Sequence, residues 1–251
     1  MITIIGAGPA GSYAAYLLAK KQTKVRVLEE HDSVGEPVQC TGIVTEDLFK
    51  YLNPWKGVII NKTKKVIFFA GKKQLKLDSP NLIINREALD KQIATMARRA
   101  GAEIKLGYKV TEIIKESKGY TIKTNKGILK SKYIIGADGP LSITARQLDL
   151  YKNQHFFKTK QVLANYKNEN TVEFYLIKNG FAWIVPVSKS LARVGVATTT
   201  FPSVDFEEFT KPLNLKKIHS TNGGLIPIFS PPGFRQKRSG LLIGDAAGFV
   251  K

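Results

Sequence analysis

The 251-residue sequence holds one cysteine, two methionines, two tryptophans and three histidines. A lone cysteine excludes a disulfide within the chain and points to a reducing, cytoplasmic compartment. His31, His155 and His219 show no ligand spacing and have no cysteine cluster beside them, so no metal is expected. No apolar run approaches the roughly 20 residues of a membrane span. The first apolar strand begins at Ile2, which leaves no room for a basic secretory leader. No repeat or low-complexity tract is present. Acid is scarce as well: 20 Asp and Glu face 39 Lys and Arg, for a net charge of +19 and a pI near 9.9. That imbalance implies an anionic partner, with nucleic acid, lipid headgroups and phosphorylated substrates all open. The basic residues are spread, as at Lys20-Lys21, Lys72-Lys73, Arg98-Arg99 and Lys216-Lys217. Dispersed cations read as a solvated surface; a nucleic-acid stripe clusters on one element with aromatics between, so no nucleic-acid partner is expected.

What is present is ordinary globular composition, with 43% hydrophobic and 24% charged residues. Residues 2–5 and 25–28 are short apolar runs of the kind buried on both faces of a parallel sheet, and 12–20 between them has helical spacing. This is a βαβ start. Residues 66–69 and 75–77 read as short strands around Gly71, and 86–100 as a helix ending at Gly101. Residues 103–106 form a further strand, 120–132 a hairpin turning at Asn125-Lys126-Gly127, and 133–135 another buried strand. From about 151 to 230 helical periodicity is scarce and β-type runs dominate, at 171–177, 181–187 and 192–198. The expected fold is α/β: a Rossmann-like domain of residues 1–150 plus 238–251, with an inserted antiparallel β-rich domain at 151–237.

Gly6-Ala7-Gly8-Pro9-Ala10-Gly11 has the G-x-G-x-x-G spacing between a strand and a helix, and Glu29 closes the second strand. Gly6 permits the sharp turn, Gly8 the approach of a pyrophosphate, and Gly11 the close packing of helix on strand. Free N–H groups at the helix start favour phosphate. An acid at position 29 suits a ribose diol and disfavours a 2′-phosphate. The fingerprint alone does not separate FAD from NAD.

Later motifs do so by resemblance. Ile134-Ile135-Gly136-Ala137-Asp138-Gly139, with Arg146 downstream, resembles the second signature of flavoprotein hydroxylases and reductases. Leu241-Leu242-Ile243-Gly244-Asp245-Ala246-Ala247 resembles their third, in which the aspartate contacts the ribityl chain of the flavin. Arg86 matches an arginine that these proteins place near the sugar and phosphates of FAD. Pro37-Val38-Gln39-Cys40-Thr41-Gly42 resembles the cysteine motif of the geranylgeranyl reductase family. Gly180-Phe181-Ala182-Trp183-Ile184-Val185-Pro186 resembles the Tyr-x-Trp-x-Phe-Pro strand of its substrate domain, with Phe181, Val185 and Lys178 departing from the pattern. Gly223-Gly224-Leu225-Ile226-Pro227 precedes the third flavin motif, as in that family.

The resemblance implies an FAD-dependent oxidoreductase that saturates isoprenoid double bonds of a membrane lipid. Gly6, Gly8, Ala10, Gly11, Glu29, Arg86, Asp138, Gly139, Gly244 and Asp245 would hold FAD. Reduced flavin would deliver a hydride to one alkene carbon while a proton reaches the other. An isolated alkene accepts hydride poorly, so the site must exclude water and hold the chain. Phe181 and Trp183 are candidates for its wall, with core packing as the plain alternative for Trp183. Cys40 is expected near the flavin, as proton donor, tuning group or packing residue. The electron donor implied is NAD(P)H or ferredoxin. The excess of Lys and Arg then reads as a peripheral tether to an anionic membrane surface, with genome bias an equal source of it. An FAD monooxygenase of the aromatic-hydroxylase type shares the flavin motifs and stays open. In this superfamily the Gly-Asp motif starts a helix, yet only residues 246–251 follow Asp245. The expectation is a family member cut within its third cofactor motif, by a truncated gene prediction, a split gene or degeneration. Such a chain would bind FAD weakly, and a non-catalytic flavin- or membrane-binding remnant is a further alternative.

Overall fold

Short, uniformly apolar runs have no side to show to water, and they build the centre of a parallel sheet. The computed structural model describes residues 1–150, 155–229, 236–237 and 240–250. In it Ile2–Ile5 pairs in parallel with Val25–Leu28 on one side and Tyr133–Gly136 on the other. Glu103–Lys105 and Gly240–Leu242 extend the sheet in parallel, and Gln236–Lys237 adds an antiparallel edge. Helices Pro9–Lys20 and Arg86–Arg99 pack on the same core, bringing Ala15, Ala94 and Ala97 against Ile4 and Val27. Small side chains there let helix and strand approach closely. A three-stranded antiparallel sheet, Val110–Glu116, Gly119–Thr124 and Gly127–Ser131, buries Ile113, Tyr120 and Ile122 with Ile5, Leu28 and Ile134. Its first strand was not expected, because only Val110 and Ile113 of its seven residues are buried.

The chain divides into two units: 1–37, 87–155 and 227–251 form the first, and 38–86 with 156–226 the second. The expected unbroken 1–150 domain is therefore corrected, since 38–86 leaves it. Strands Ile59–Ala70 and Lys73–Ile84 run twelve residues each, far beyond the short strands expected there. Register shifts at Ile59/Asn61 and Thr63/Lys65 break their alternation, which hides their length in the sequence. The expected boundaries at Tyr151 and Arg238 lie outside the described residues.

The second unit is an eight-stranded sheet in the order Ile218–Pro227, Phe156–Asn165, Leu191–Thr198, Gly180–Ser188, Val172–Ile177, Ile59–Ala70, Lys73–Ile84, Ile43–Val44. Antiparallel pairing dominates, but Val172–Ile177 runs parallel to Ile59–Ala70. One face buries Val162, Ala182, Ile184, Val194 and Val196 beneath the helix Pro202–Thr210, through Phe206. That helix adds to the β-rich reading of this region, in which helical periodicity is scarce. Phe206 is its one buried residue, so its apolar stripe is too thin to show a period.

Asp205 fastens the helix to the sheet. Its carboxylate accepts hydrogen bonds from the Thr198 hydroxyl at 2.5 Å, the Thr200 hydroxyl at 2.9 Å and the Asn179 amide at 3.4 Å. The Thr198 bond, aided by Thr200 and Asn179, holds the carboxyl below the usual aspartate range against a smaller opposing effect of burial. A depressed folded value contributes stability above the unfolded aspartate range, and that contribution fades as pH falls through the folded value. Urea unfolding of Asp205→Asn should show a deficit against wild type at about pH 6 that shrinks toward about pH 3. A deficit independent of pH would contradict this account.

Candidate functional site

The glycine turn of the first unit is built by exclusion of side chains. Gly6 has φ +98°, and a Cβ there would lie 2.3 Å from the Ala137 carbonyl oxygen. A Cβ on Gly11 would lie 2.0 Å from the Gly6 carbonyl oxygen. Both glycines are forced by backbone packing. Gly8 differs: a Cβ on it would meet nothing within 4 Å, so the chain is open to an approaching group at that point. Gly8 caps the helix Pro9–Lys20, which has no side-chain cap and no acid in its first turn. The first-turn amides thus have neither a side-chain cap nor an acid of their own turn against them, and a helix start of that kind favours phosphate. Ala10 packs near Gly244, where an added Cβ would come within 2.9 Å.

Glu29 is buried and tied to this turn. One carboxylate oxygen accepts the Ala7 amide at 2.7 Å; the other accepts the His31 amide at 3.1 Å and lies 2.7 Å from His31 Nδ1. His31 was not singled out from sequence, and its position two residues beyond the acid was the available signal.

The second and third motifs lie in the same unit. Asp138 accepts hydrogen bonds from the Ser142 hydroxyl at 2.6 Å and from the Thr144 amide and hydroxyl, both at 2.9 Å. Its carboxylate therefore anchors the helix Ile143–Gln147. Gly139 has φ +71° and open space beside its Cα. Gly244–Ala247 is a single 3-10 turn in place of the expected helix start, with Asp245 exposed on it. Arg86 opens the helix Arg86–Arg99 and is half-buried.

In the second unit a hydrogen-bonded chain joins Trp183 to the cysteine loop. Trp183 is only 2% exposed, and its indole N–H donates to Gln161 Oε1 at 2.9 Å. The Gln161 amide donates to the Asn222 side chain at 3.2 Å and to the Cys40 carbonyl at 3.4 Å. Arg193 donates to the Thr41 carbonyl at 2.6 Å and the Ile84 carbonyl at 3.2 Å. Burial pulls the Arg193 guanidinium below its ordinary value; neighbouring Cys40 opposes this and Arg86 adds to it. The Cys40 sulfur accepts the Gly42 amide at 3.3 Å. Gln161 and Arg193 thus pin the loop from below, and sequence reading passed over both. Each is a polar residue pointing into an apolar strand face, which was the signal.

Trp183 sits in the core with Val66, Ile83, Val172 and Val185, backed by Phe157, Phe174 and Phe181. The accessible aromatic surface lies further along the strand. Phe181 meets Trp183 at 5.9 Å and Phe157 at 5.6 Å between ring centroids, and Phe68 stacks on Phe174 at 5.5 Å. Phe68, Phe174, Phe181, Leu75 and Leu176 line a cavity of about 570 Å³. Its walls can take an apolar chain but offer little to a polar one.

Residues 3–172 match the model of the pyridine nucleotide-disulphide oxidoreductase family. The chain is 30% identical to an uncharacterised protein of Methanosarcina barkeri, over 99% of this chain and 68% of that one. It is 29% identical to digeranylgeranylglycerophospholipid reductase 1 of Methanosphaera stadtmanae, over 79% of this chain and 54% of that one. Among solved structures, a geranylgeranyl bacteriochlorophyll reductase-like protein of Thermoplasma acidophilum superposes with a TM-score of 0.87 at 22% identity, over 99% of this chain and 71% of that one. That likeness establishes the fold.

Gln161→Leu should cost about 1–3 kcal/mol in urea unfolding, because it leaves a buried indole N–H unpaired. Trp183→Phe should cost less in the Gln161→Leu background than in wild type, by about 1 kcal/mol. Additive costs would mean that the bond at 2.9 Å contributes nothing.

Proposed function

The chain belongs to the pyridine nucleotide-disulphide oxidoreductase family, and from that premise we propose that it is an FAD-dependent reductase of isoprenoid double bonds on a membrane lipid. The observation that carries the cofactor is the cradle at Gly8: an uncapped helix start, no acid in the first turn, and open space beside the backbone. The residues present fit a dinucleotide. The amides after Gly8 would hold the pyrophosphate, and Glu29 would take the ribose diol with the oxygen that His31 now meets. Gly139, Gly244 and Asp245 are the positions proposed for the flavin end, and Arg86 for the phosphates. Asp138 would act on the cofactor through the helix that it anchors.

Bound FAD, once reduced, supplies the hydride that an alkene carbon accepts. The protein's own part is to hold the chain and keep water out. Phe181, Phe174 and Phe68 suit that task, with Trp183 supporting Phe181 from the core. Cys40 is proposed as a site residue whose loop is set by Gln161 and Arg193. The relative named as a digeranylgeranylglycerophospholipid reductase supports a lipid substrate of that class. NAD(P)H or ferredoxin would supply the electrons.

Two measurements test the reading. Glu29→Gln keeps an acceptor for the Ala7 amide but loses the charge, and FAD affinity by flavin fluorescence should fall about tenfold or more. Chemically reduced, FAD-loaded protein given a digeranylgeranyl glycerophospholipid under anaerobic conditions should add one H₂ per double bond, read by mass spectrometry. An unchanged lipid, or oxygen insertion into a substrate when air is admitted, would overturn the reductase assignment.

A further inference from the structure

The parallel pairing of Val172–Ile177 with Ile59–Ala70 brings the last residues of both strands to one end of the eight-stranded sheet. The turns that follow them, at Gly71-Lys72 and Lys178-Asn179, therefore lie at that same end. Leu191–Thr198 finishes there too, because Thr198 pairs with Gly180, and the chain passes through Phe201 into the helix Pro202–Thr210. This end gathers Phe201 at 73% exposed, Leu176 at 70%, Leu75 at 56% and Phe68 at 43%. Single exposed apolar residues are commonplace, but these share one end of one sheet. Three of them, Phe68, Leu75 and Leu176, also line the 570 Å³ aromatic cavity.

Lysines surround the patch. Lys72, Lys73 and Lys178 are exposed at its turns. The hairpin of residues 59–84 carries six lysines against a single acid, Asp78. None of the six enters an ion pair among the described residues. Asp205, which meets Asn179 at the second turn, is spent on Thr198, Thr200 and Asn179. Exposed Glu207 and Glu208 follow it on the helix.

We propose that this end of the sheet, tipped by Lys72, Lys73 and Lys178 around Phe68, Leu75, Leu176 and Phe201, docks on an anionic lipid bilayer. The apolar side chains enter the boundary between headgroups and acyl chains, and the lysines meet the headgroup charge. Charge decides the occupant. A second copy would set lysine against lysine, and a nucleic acid would leave the leucines and phenylalanines without a partner. Among the described residues no helix is long and apolar enough to cross a membrane, so attachment there would be peripheral. The proposal deepens the reading above and rests on its membrane-lipid substrate. Vesicle binding needs no turnover, so either can fail while the other stands.

The test is flotation of the full chain with phosphatidylglycerol or phosphatidylcholine vesicles. The chain should bind the first, far less the second, and keep a salt-resistant fraction. Lys72→Glu, Lys73→Glu and Lys178→Glu together should lower partitioning at least about a hundredfold, at roughly a fivefold factor per lysine near the surface. Leu75→Ser with Leu176→Ser should remove the salt-resistant fraction. Three equal charge reversals in the first unit, Lys20→Glu, Lys21→Glu and Lys118→Glu, should cost only a few-fold. Equal binding to both lipids, or equal losses from the two triple variants, would overturn the proposal. So would self-association in sedimentation velocity that Leu75→Ser abolishes, since a second copy would then be the occupant.

Discussion

Backbone against backbone, with no room for a side chain between, is the constraint from which the first unit is built. The Gly6 turn presses on Ala137, and the start of the helix Pro9–Lys20 presses on the Gly6 carbonyl. The two crossings fix where the helix starts relative to three parallel strands. The amides of that start have no side-chain cap. Glu29 completes the turn through the Ala7 amide, so one carboxylate both holds the loop and waits beside it. A turn fixed by such backbone contacts would need little further ordering to take the dinucleotide proposed above, which would lower the entropy lost on binding.

The second unit solves a different problem. Its sheet has one face under a helix and the other carrying Trp183, Gln161, Arg193 and the phenylalanines. On this second face polar and apolar parts are separated. Gln161 and Arg193 hold the loop containing Cys40 through its carbonyl groups at one part, while Phe68, Phe174 and Phe181 form the cavity at another. Buried polar groups carry a cost unless they are paired, and here each has a named partner. The polar cluster can therefore fix a loop without weakening the apolar surface beside it.

The sequence showed the first unit plainly because its signals are local. Glycine spacing, four-residue apolar runs and the terminal acid are all read within thirty residues of the start. The second unit was less legible because its signals are distant or irregular. Bulges break the alternation of Ile59–Ala70, so a twelve-residue strand shows as four. Nothing in residues 38–86 tells which sheet they join, since the parallel pairing with Val172–Ile177 spans more than a hundred positions. Trp183 was visible as a motif residue, but its partner Gln161 stands 22 residues earlier in an unremarked strand. Asp138 illustrates the reverse: the motif was legible, while its three hydrogen bonds to Ser142 and Thr144 were not.

The net charge of +19 takes on a different meaning when it is placed on the fold. Spread evenly, it would give a long-range attraction to any polyanion, screened within about 8 Å at physiological salt. Such an attraction orients nothing. Lysines beside exposed leucine and phenylalanine side chains would set a direction, because an end that carries both gains from charge and burial together. A lipid substrate whose double bonds lie within a bilayer has to be met from one side. A tether without orientation would leave the aromatic cavity facing water as often as lipid. Phe68, Leu75 and Leu176 belong to both the patch and the cavity wall, which would couple the proposed attachment to access. The same side chains that hold the surface would then open onto the path of the chain.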